Sequence, residues 1–518
     1  MQIIQRYIHD MSNSSLHDLI NQGIIQHDID FVTDIFSLDS KKVSAENLLN
    51  LFSLLAQSKQ LQLIEPFITE NSLIGNAAIE ILTARLANYP LSITGLLASI
   101  GEVDLLKTIL VKIQSLSHNT TQDILRNISG IPEKTLADIA IEYEQPSVIT
   151  LLISMGITVE KLCEKNPINN QHVFHTIAQH NALRFITFFS DIGMSFNNAL
   201  MRDNEGNSVI HIAAEQGHHE IITAFLQKGI PPKMLHQKNK AGFSALDLAA
   251  KYDHPQIITL FNKPNLQLEQ AGSSNFTPIQ IAAKFGSTRF IQYAFEHAQL
   301  THTQIMSADK KGVTIAHLAA AEGRTTVIEK LLEIGLEKEQ LFAPSKTNQT
   351  LSHYAAINGH INILKQLFDI TDDADYLNTA DKSGYTPAIL AARNNHHSII
   401  QTMLELGVSL DSIMTTSPKG KKNILHYAAR NNNIEILRIL RRFSLTSNRL
   451  NQPDYYRATP GSIARKHGHA DFIRQLILHG VAIEPYAAPY VGETADIGQA
   501  FLNHIAVFGG AGAFMMPI

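Results

Sequence analysis

The 518-residue sequence predicts an all-α solenoid of about ten helix-turn-helix repeats with β-hairpin loops, preceded by a helical N-terminal region. A chain of this length exceeds the usual size of one compact domain, so it must be either multi-domain or a repeat array. A short phrase decides between them: an apolar residue, then Ala and usually a second Ala, recurs ten times at a mean spacing of 36 residues. The first Ala of each copy is Ala140, Ala178, Ala213, Ala249, Ala282, Ala319, Ala355, Ala391, Ala428 or Ala464.

Composition agrees with a folded, non-exported protein. Hydrophobic residues make up 44% and charged residues 17%, which excludes a largely disordered chain. The single cysteine, Cys163, excludes an internal disulfide framework and a thiolate zinc site, and it suits a reducing compartment. His9, Asp10, His17 and Asp18 interrupt the apolar core that a signal peptide would need. We therefore expect a cytoplasmic protein.

The residues around the alanines resemble the ankyrin repeat, in which Thr-Pro-Leu-His-x-Ala-Ala is followed by Gly-His and by a Leu-rich second helix ending in Gly. The segments Thr277 to Ala283 and Thr386 to Ala392 preserve most of the first phrase. Gly-His recurs at positions 217–218, 359–360 and 468–469. The resemblance covers roughly residues 130 to 485. The copies at its two ends are degenerate, as expected of capping repeats.

Each residue type that recurs in this pattern has a physical reason. Thr before Pro can cap the first helix, and Pro at the first turn has no backbone donor to leave unpaired. The small Ala pair lets neighbouring helices approach closely. Gly229 and Gly335 are suited to end the second helices in the left-handed conformation. Between repeats, Asp or Asn closes a turn and Gly three residues later takes the strained position, in motifs that begin at Asp203, Asn239, Asp309 and Asp381.

The 24 histidines raise the question of a metal site, but the pattern favours a structural role. His211, His317, His353 and His426 occupy the consensus His position, where the resemblance implies a hydrogen bond to the backbone of the adjoining loop. No paired Cys or His-Glu-x-x-His motif accompanies them. We predict no catalytic residue, metal or cofactor; a thiol nucleophile at Cys163 with His172 or His175 as base is the minor alternative.

Two flanks surround the array of residues 131–485. Residues 1–130 have helical apolar spacing and are predicted to be degenerate repeats or a cap, with a separate catalytic unit as the alternative. Residues 486–518 end in an apolar tail, which has no Asp, Glu, Lys or Arg after residue 496. This tail either packs on the last repeat, is flexible, or acts as a secretion signal. Met515, Met516 and Ile518 resemble the hydrophobic C-termini of ankyrin effectors that intracellular bacterial pathogens deliver by type IV secretion.

The resemblance implies that partners bind along the hairpin tips and the exposed ends of the first helices. Exposed aromatic residues and Arg are common interface hot spots, and the Lys residues supply charge. The tip candidates are Phe243, Phe276, Lys310, Lys311, Tyr385, Lys421, Lys422, Tyr456 and Arg457. The candidates that follow the Ala pairs are Lys251, Tyr252, Lys284, Phe285, Arg393 and Arg430.

Charge is distributed unevenly along the chain. Between Lys419 and Arg474 there are twelve Lys or Arg and three acidic residues, although the whole chain has a net charge of −5. Such a stretch attracts an acidic protein face, an anionic membrane or nucleic acid. We predict a monomeric, non-enzymatic scaffold for an acidic protein, and the resemblance to secreted effectors implies that this partner is a host protein. We do not expect nucleic acid. The alternatives are an enzyme whose repeats recruit substrate for residues 1–130, and an adaptor for anionic membranes.

Overall fold

The computed structural model describes residues 91–116, 129, 131–261, 276–298 and 300–482, with isolated positions 53, 55, 56 and 84. The predicted tail 486–518 and most of the predicted N-terminal region therefore lie outside the described residues. The chain divides into two compact units, one ending at Lys240 and the other beginning at Ala241. Each unit is a stack of helix pairs, so the predicted all-α repeat fold is confirmed.

The N-terminal unit contains four helix pairs in its described part. Its first helices pack in sequence, α1 on α3, α3 on α6 and α6 on α8. The helices are α1 (Ile93–Ile100), α2 (Val103–Leu116), α3 (Leu136–Glu142), α4 (Pro146–Ser154), the one-turn α5 (Val159–Leu162), α6 (Val173–His180), α7 (Leu183–Asp191), α8 (Val209–Gln216) and α9 (His219–Gln227), with 3-10 helices at Phe196–Leu200 and Pro232–His236.

The C-terminal unit contains seven helix pairs in its described part. Its first helices α10, α11, α14, α17, α19, α22 and α24 also pack one on the next. The helices are α10 (Ala245–Lys251), α11 (Pro278–Phe285), α12 (Thr288–His297), α13 (His302–Ile305), α14 (Ile315–Ala321), α15 (Thr325–Glu333), α16 (Lys338–Leu341), α17 (Leu351–Asn358), α18 (Ile361–Thr371), α19 (Pro387–Arg393), α20 (His397–Glu405), α21 (Leu410–Ile413), α22 (Ile424–Arg430), α23 (Ile434–Arg442), α24 (Pro460–Lys466) and α25 (Ala470–Leu478), with 3-10 helices at Pro255–Leu260, Asp375–Asn378 and Ser447–Arg449.

The predicted caps and packing residues are found where the sequence placed them. Thr277 accepts a hydrogen bond from the Gln280 amide at the start of α11, and Thr386 accepts one from the Ile389 amide at the start of α19. The paired alanines from repeat to repeat have no exposed surface, as at Ala391 and Ala392. Close packing of the first helices therefore depends on side chains this small.

The 36-residue spacing has a structural cause that the sequence reading did not anticipate. An ankyrin repeat usually has 33 residues. Here a one-turn helix is inserted between the second helix and the next tip, as in α5, α13 and α21. Thr158, Thr301 and Ser409 cap these turns by accepting a backbone N–H bond. The additional residues therefore form an ordered turn in the connection.

The hairpin loops are tight turns, and the described residues contain no β-strand. Two backbone bonds close such a tip: the Asp309 amide donates to the Val313 carbonyl at 3.0 Å, and the Gly312 amide donates to the Asp309 carbonyl at 2.9 Å. The Asp309 carboxylate also accepts the amides of Lys311 and Val313, each at 2.8 Å. Gly312 follows in the left-handed region at φ 80. The predicted Asp-x-x-Gly turn is thus confirmed, and it is too short for a strand.

Candidate functional site

Buried histidines join each repeat to the next tip. In His353, Nδ1 accepts the Thr350 amide at 3.1 Å, and Nε2 donates to the Tyr385 carbonyl of the following tip at 3.1 Å. His211 makes the equivalent pair of bonds in the N-terminal unit, to Ser208 and to the Gln237 carbonyl at 2.9 Å. The structural role predicted for these histidines is confirmed. The same bonds recur at His317 and His426.

In His211, His317 and His353 these contacts indicate the protonation state of the ring. A ring that accepts at one nitrogen and donates at the other is a neutral imidazole. Burial lowers the pKa of His317, His353 and His426 from 6.5 to about 4. They remain uncharged at neutral pH, and they hold the tips in register with the helices behind them.

The tips of the C-terminal unit carry a set of lysines that we call the tip lysines. They project from four consecutive turns, at residues 309–313, 345–349, 381–385 and 417–422. None of them forms an ion pair with a described residue. The set consists of Lys310, Lys311, Lys346, Lys382, Lys419, Lys421 and Lys422, all exposed except the half-buried Lys422.

The carboxylates in the same tips are engaged by the backbone. Asp381 accepts the amides of Ser383 and Tyr385 at 2.8 and 2.9 Å, as Asp309 does in its own turn. In the tip that follows residues 417–422, Asp454 accepts the amides of Tyr456 and Ala458. Arg457 lies between them, exposed and in the left-handed region at φ 63. The acidic groups thus shape the turns, while the cations are left facing solvent.

Six of the predicted contact residues come together on and beside α10 and α11 as an aromatic–lysine cluster. The Lys251 ammonium lies 5.5, 4.7 and 5.4 Å from the ring centroids of Phe243, Tyr252 and Phe285. Lys284 lies 5.5 Å from the Phe276 centroid and 3.5 Å from the Glu322 carboxylate. Both cations are therefore engaged within the chain by cation–π contacts.

The surface that this cluster offers is aromatic. Tyr252 is 41% exposed and Phe285 is 37% exposed. The sequence had offered Lys251 and Lys284 as direct contacts for a partner. Their position supports the rings, so that Tyr252 and Phe285 become the better candidates for burial in an interface.

Three further predicted residues, Tyr385, Arg393 and Arg430, surround Tyr427. Burial raises the pKa of the Tyr427 hydroxyl, and the charges of Arg393 and Arg430 act in the opposite direction. Arg430 is exposed, whereas Tyr385 and Arg393 are half-buried. Sequence reasoning missed Tyr427, which lies one turn before Arg430 on the same helix.

The basic stretch between Lys419 and Arg474 is not one continuous patch. Arg438 forms an ion pair with Glu435 on the second helix α23, and Arg474 pairs with Asp471 on α25 at 3.3 Å. Arg449 pairs with Asp411 at 2.6 Å. The cations at the tips are the tip lysines and Arg457. The positive charge counted along the stretch is therefore larger than the charge that one surface presents to a partner.

Burial opposes thiol chemistry at Cys163. The side chain is 4% exposed and burial raises the pKa of its thiol. The nearby His172 accepts the Phe174 amide as a helix cap, and burial lowers its pKa to about 2. A nucleophile needs a thiolate and a base that can take a proton. The minor Cys–His alternative finds no support in this geometry.

Two searches of the described residues add to this account. They contain no group of three or more His, Cys, Asp and Glu placed to hold a metal ion. Nor does any helix in the described part of the chain have the length and apolar character needed to cross a membrane.

Comparison with known proteins identifies the family. The family described as "Ankyrin repeats (3 copies)" matches residues 136–234, 174–267, 246–342 and 337–414, together more than half of the chain. No curated protein matches the sequence. Helix pairs of the same kind continue beyond the matched region, to Leu478. The repeats suggest a scaffold for protein–protein interaction, and the chain belongs to the ankyrin-repeat family.

Proposed function

We propose that this protein is a non-enzymatic, monomeric scaffold that binds an acidic partner protein through the C-terminal unit. The observation that carries the proposal is the chemistry of one set of tips. Seven lysines lie there, six of them exposed, with no ion pair to a described residue, while the carboxylates beside them accept backbone amides. Charges left unpaired on a rigid surface steer and orient an oppositely charged partner.

The aromatic–lysine cluster supplies the apolar part of the same proposal. Interfaces gain most of their affinity from a few buried side chains, with aromatic residues and Arg prominent among them. Tyr252 and Phe285 are exposed rings supported from one side by Lys251. We expect these rings to be buried by the partner, and the tip lysines to set its orientation.

The cellular setting is also a proposal. We infer a cytoplasmic protein, or an effector that a bacterium delivers through type IV secretion to act on a host protein. Support comes from the uncharged, apolar segment 497–518, which includes Met515, Met516 and Ile518. A translocation reporter fused to the full chain should enter host cells only when the donor has a working type IV system. Delivery that is unchanged after removal of residues 497–518 would contradict the hypothesis that this segment contains the secretion signal.

The binding proposal is tested by affinity capture from eukaryotic lysate, comparing wild type with a tip variant. The variant combines Tyr385→Ala, Lys421→Glu, Lys422→Glu and Arg457→Glu. A matched control makes the same change of charge on the second helices, with Lys365→Glu, Arg442→Glu and Arg474→Glu. Far-ultraviolet circular dichroism confirms that all three chains keep their helical content.

The proposal predicts a partner that wild type and the control retain and that the tip variant loses. Equal retention by all three chains would show that this surface is not the working one. Loss in the control alone would move the interface to the second helices.

A further inference from the structure

Three of the tip lysines occupy one and the same position of consecutive repeats. Lys310, Lys346 and Lys382 each follow the first residue of their turn, which is Asp309, Ser345 and Asp381 respectively. All three side chains are exposed, and none has an ion pair with a described residue. We call this set the lysine ladder.

The backbone fixes the spacing of the lysine ladder. The Lys346 amide donates to the Lys311 carbonyl of the preceding tip at 2.9 Å, and the Lys382 amide donates to the Thr347 carbonyl at 2.9 Å. The helices behind these tips, α14, α17 and α19, pack directly on one another. Packed helices lie about 8–10 Å apart, so the ladder presents one positive charge roughly every 10 Å.

This repeat distance selects among the conformations of a bound segment. In a polyproline II helix every third residue lies on the same face, about 9 Å further along. In a β-strand, residues three apart point to opposite faces, so only one of two such carboxylates could meet the ladder. Polyproline II is also preformed, which reduces the entropy lost on binding, and it docks on aromatic side chains such as Tyr385 in the third tip.

Resting on the proposed function, we propose that the lysine ladder binds an acidic polyproline II segment of the partner that carries a carboxylate at every third residue. Each carboxylate meets one ladder lysine. Proline between the acids approaches the ring of Tyr385. The ladder therefore measures the spacing of acidic residues as well as their number.

The test uses the full chain and three labelled synthetic peptides of identical composition, each with four Glu in a Pro-rich background. In the first peptide Glu recurs at every third position, in the second at every second position, and in the third all four are clustered at one end. Fluorescence anisotropy at low and physiological salt gives the affinity of each. Anionic phospholipid vesicles and a single-stranded oligonucleotide are tested in parallel, because both carry closely spaced phosphates.

We expect the peptide with Glu at every third position to bind about tenfold more tightly than the other two. The variant Lys310→Gln, Lys346→Gln, Lys382→Gln should abolish that preference. Lys365→Gln, Arg438→Gln, Arg442→Gln, an equal loss of charge on the second helices, should preserve it. Both variants keep Asp309, Ser345 and Asp381, whose side chains accept the backbone amides of the turns, so both should fold.

Equal binding of the three peptides, or a preference that survives in the ladder variant, would overturn the ladder. So would ladder-dependent binding of vesicles or oligonucleotide in place of every peptide. These results would leave the proposed scaffold standing if the capture experiment still separated the tip variant from its control. Failure of that capture experiment, with the peptide preference intact, would instead remove the proposed cellular function and retain the ladder.

Discussion

The two units of this protein share a framework and differ at their tips. In the N-terminal unit the tip side chains are satisfied by one another: the Asn170 amide group donates to Asn204 at 2.6 Å, and Asn239 donates to Asn207 at 2.8 Å. Lys240 donates to the Asn204 carbonyl at 2.6 Å. In the C-terminal unit Gln349 also donates to Asp381 of the next tip, at 3.4 Å. The difference lies at the position of Lys240, where Lys310, Lys346 and Lys382 are exposed and have no ion pair with a described residue.

This difference separates the residues that pack one repeat on the next from the residues that vary at the tips. Caps, alanine pairs and bridging histidines are repeated in both units because each repeat must pack on the next. Tip residues contribute little to that packing and are free to vary. In the N-terminal unit the Lys240 side chain is bonded to the preceding tip, whereas in the C-terminal unit the lysines at the same position are exposed.

The largest expected effect concerns the shared framework at acid pH. Because His317, His353 and His426 have a pKa of about 4 when folded and 6.5 when unfolded, the unfolded chain binds more protons between these values. Their stabilisation is complete above pH 6.5 and is lost as the pH falls towards 4. Urea titration should show a loss of about 2 kcal/mol per histidine between pH 7 and pH 5.

A matched variant isolates this effect. At the equivalent position of α11, Gln280 accepts the Thr277 amide at 3.0 Å, so Gln can cap a repeat without titrating. His353→Gln should reduce the difference between pH 7 and pH 5 by one histidine's share. A difference unchanged by the substitution would show that other groups cause the acid sensitivity.

The next effect should be the same in both units. His353→Leu removes the acceptor for the Thr350 amide and the donor for the Tyr385 carbonyl, and His211→Leu does the same in the N-terminal unit. Leaving two polar groups unpaired should lower the free energy of unfolding by about 3 kcal/mol in each variant. His297→Leu, at an exposed histidine, should change it by less than about 0.5 kcal/mol. A cost confined to one unit would break the shared-framework account.

A smaller effect should distinguish the tips from the helix ends. Gly384 has φ +71, and an added Cβ would lie 2.1 Å from Pro418 Cγ of the next tip. Gly229 in the N-terminal unit has φ +96, with nothing within 4 Å of the added atom. Gly229→Ala should therefore cost about 1 kcal/mol of backbone strain, and Gly384→Ala about 2 kcal/mol or more. Equal costs in urea unfolding would contradict the close approach of neighbouring tips.

The smallest expected effect on stability belongs to the tip lysines. Since they have no ion pair with a described residue, Lys310→Gln, Lys346→Gln and Lys382→Gln together should change the free energy of unfolding by less than about 0.5 kcal/mol. A large loss in urea unfolding would show that these lysines stabilise the array, and it would remove the difference between the two sets of tips.

The sequence predicted those features that every repeat must satisfy. The alanines, the Thr-Pro starts, the Asp-x-x-Gly turns and the histidines each answer a local demand of packing or hydrogen bonding, so their spacing alone was informative. It did not predict the one-turn helices, because segments such as Val159–Leu162 are too short for helical periodicity to show.

At the candidate site, residue type was a better guide than net charge. Lys346 was missed because Ser345, and not Asp, begins its turn, and Lys382 was missed although its turn at Asp381 had been recognised. The positive stretch after Lys419 was overestimated because Arg449 pairs with Asp411, an acid outside the stretch that only the fold brings near. Arg438 and Arg474 pair with acids one helical turn away on their own helices. The stacking of Lys251 among three rings depends on two adjacent repeats, which no single segment of sequence displays.

The central claim is that a partner protein covers the tips of the C-terminal unit. It is tested most directly by quantitative lysine acetylation of the full chain, alone and with the protein retained in the capture experiment. Lys310, Lys346 and Lys382 should each be labelled at least fivefold more slowly in the complex, while Lys365 on the second helix α18 should be labelled at the same rate. Unchanged labelling of the three tip lysines, with protection at Lys365 instead, would contradict the account.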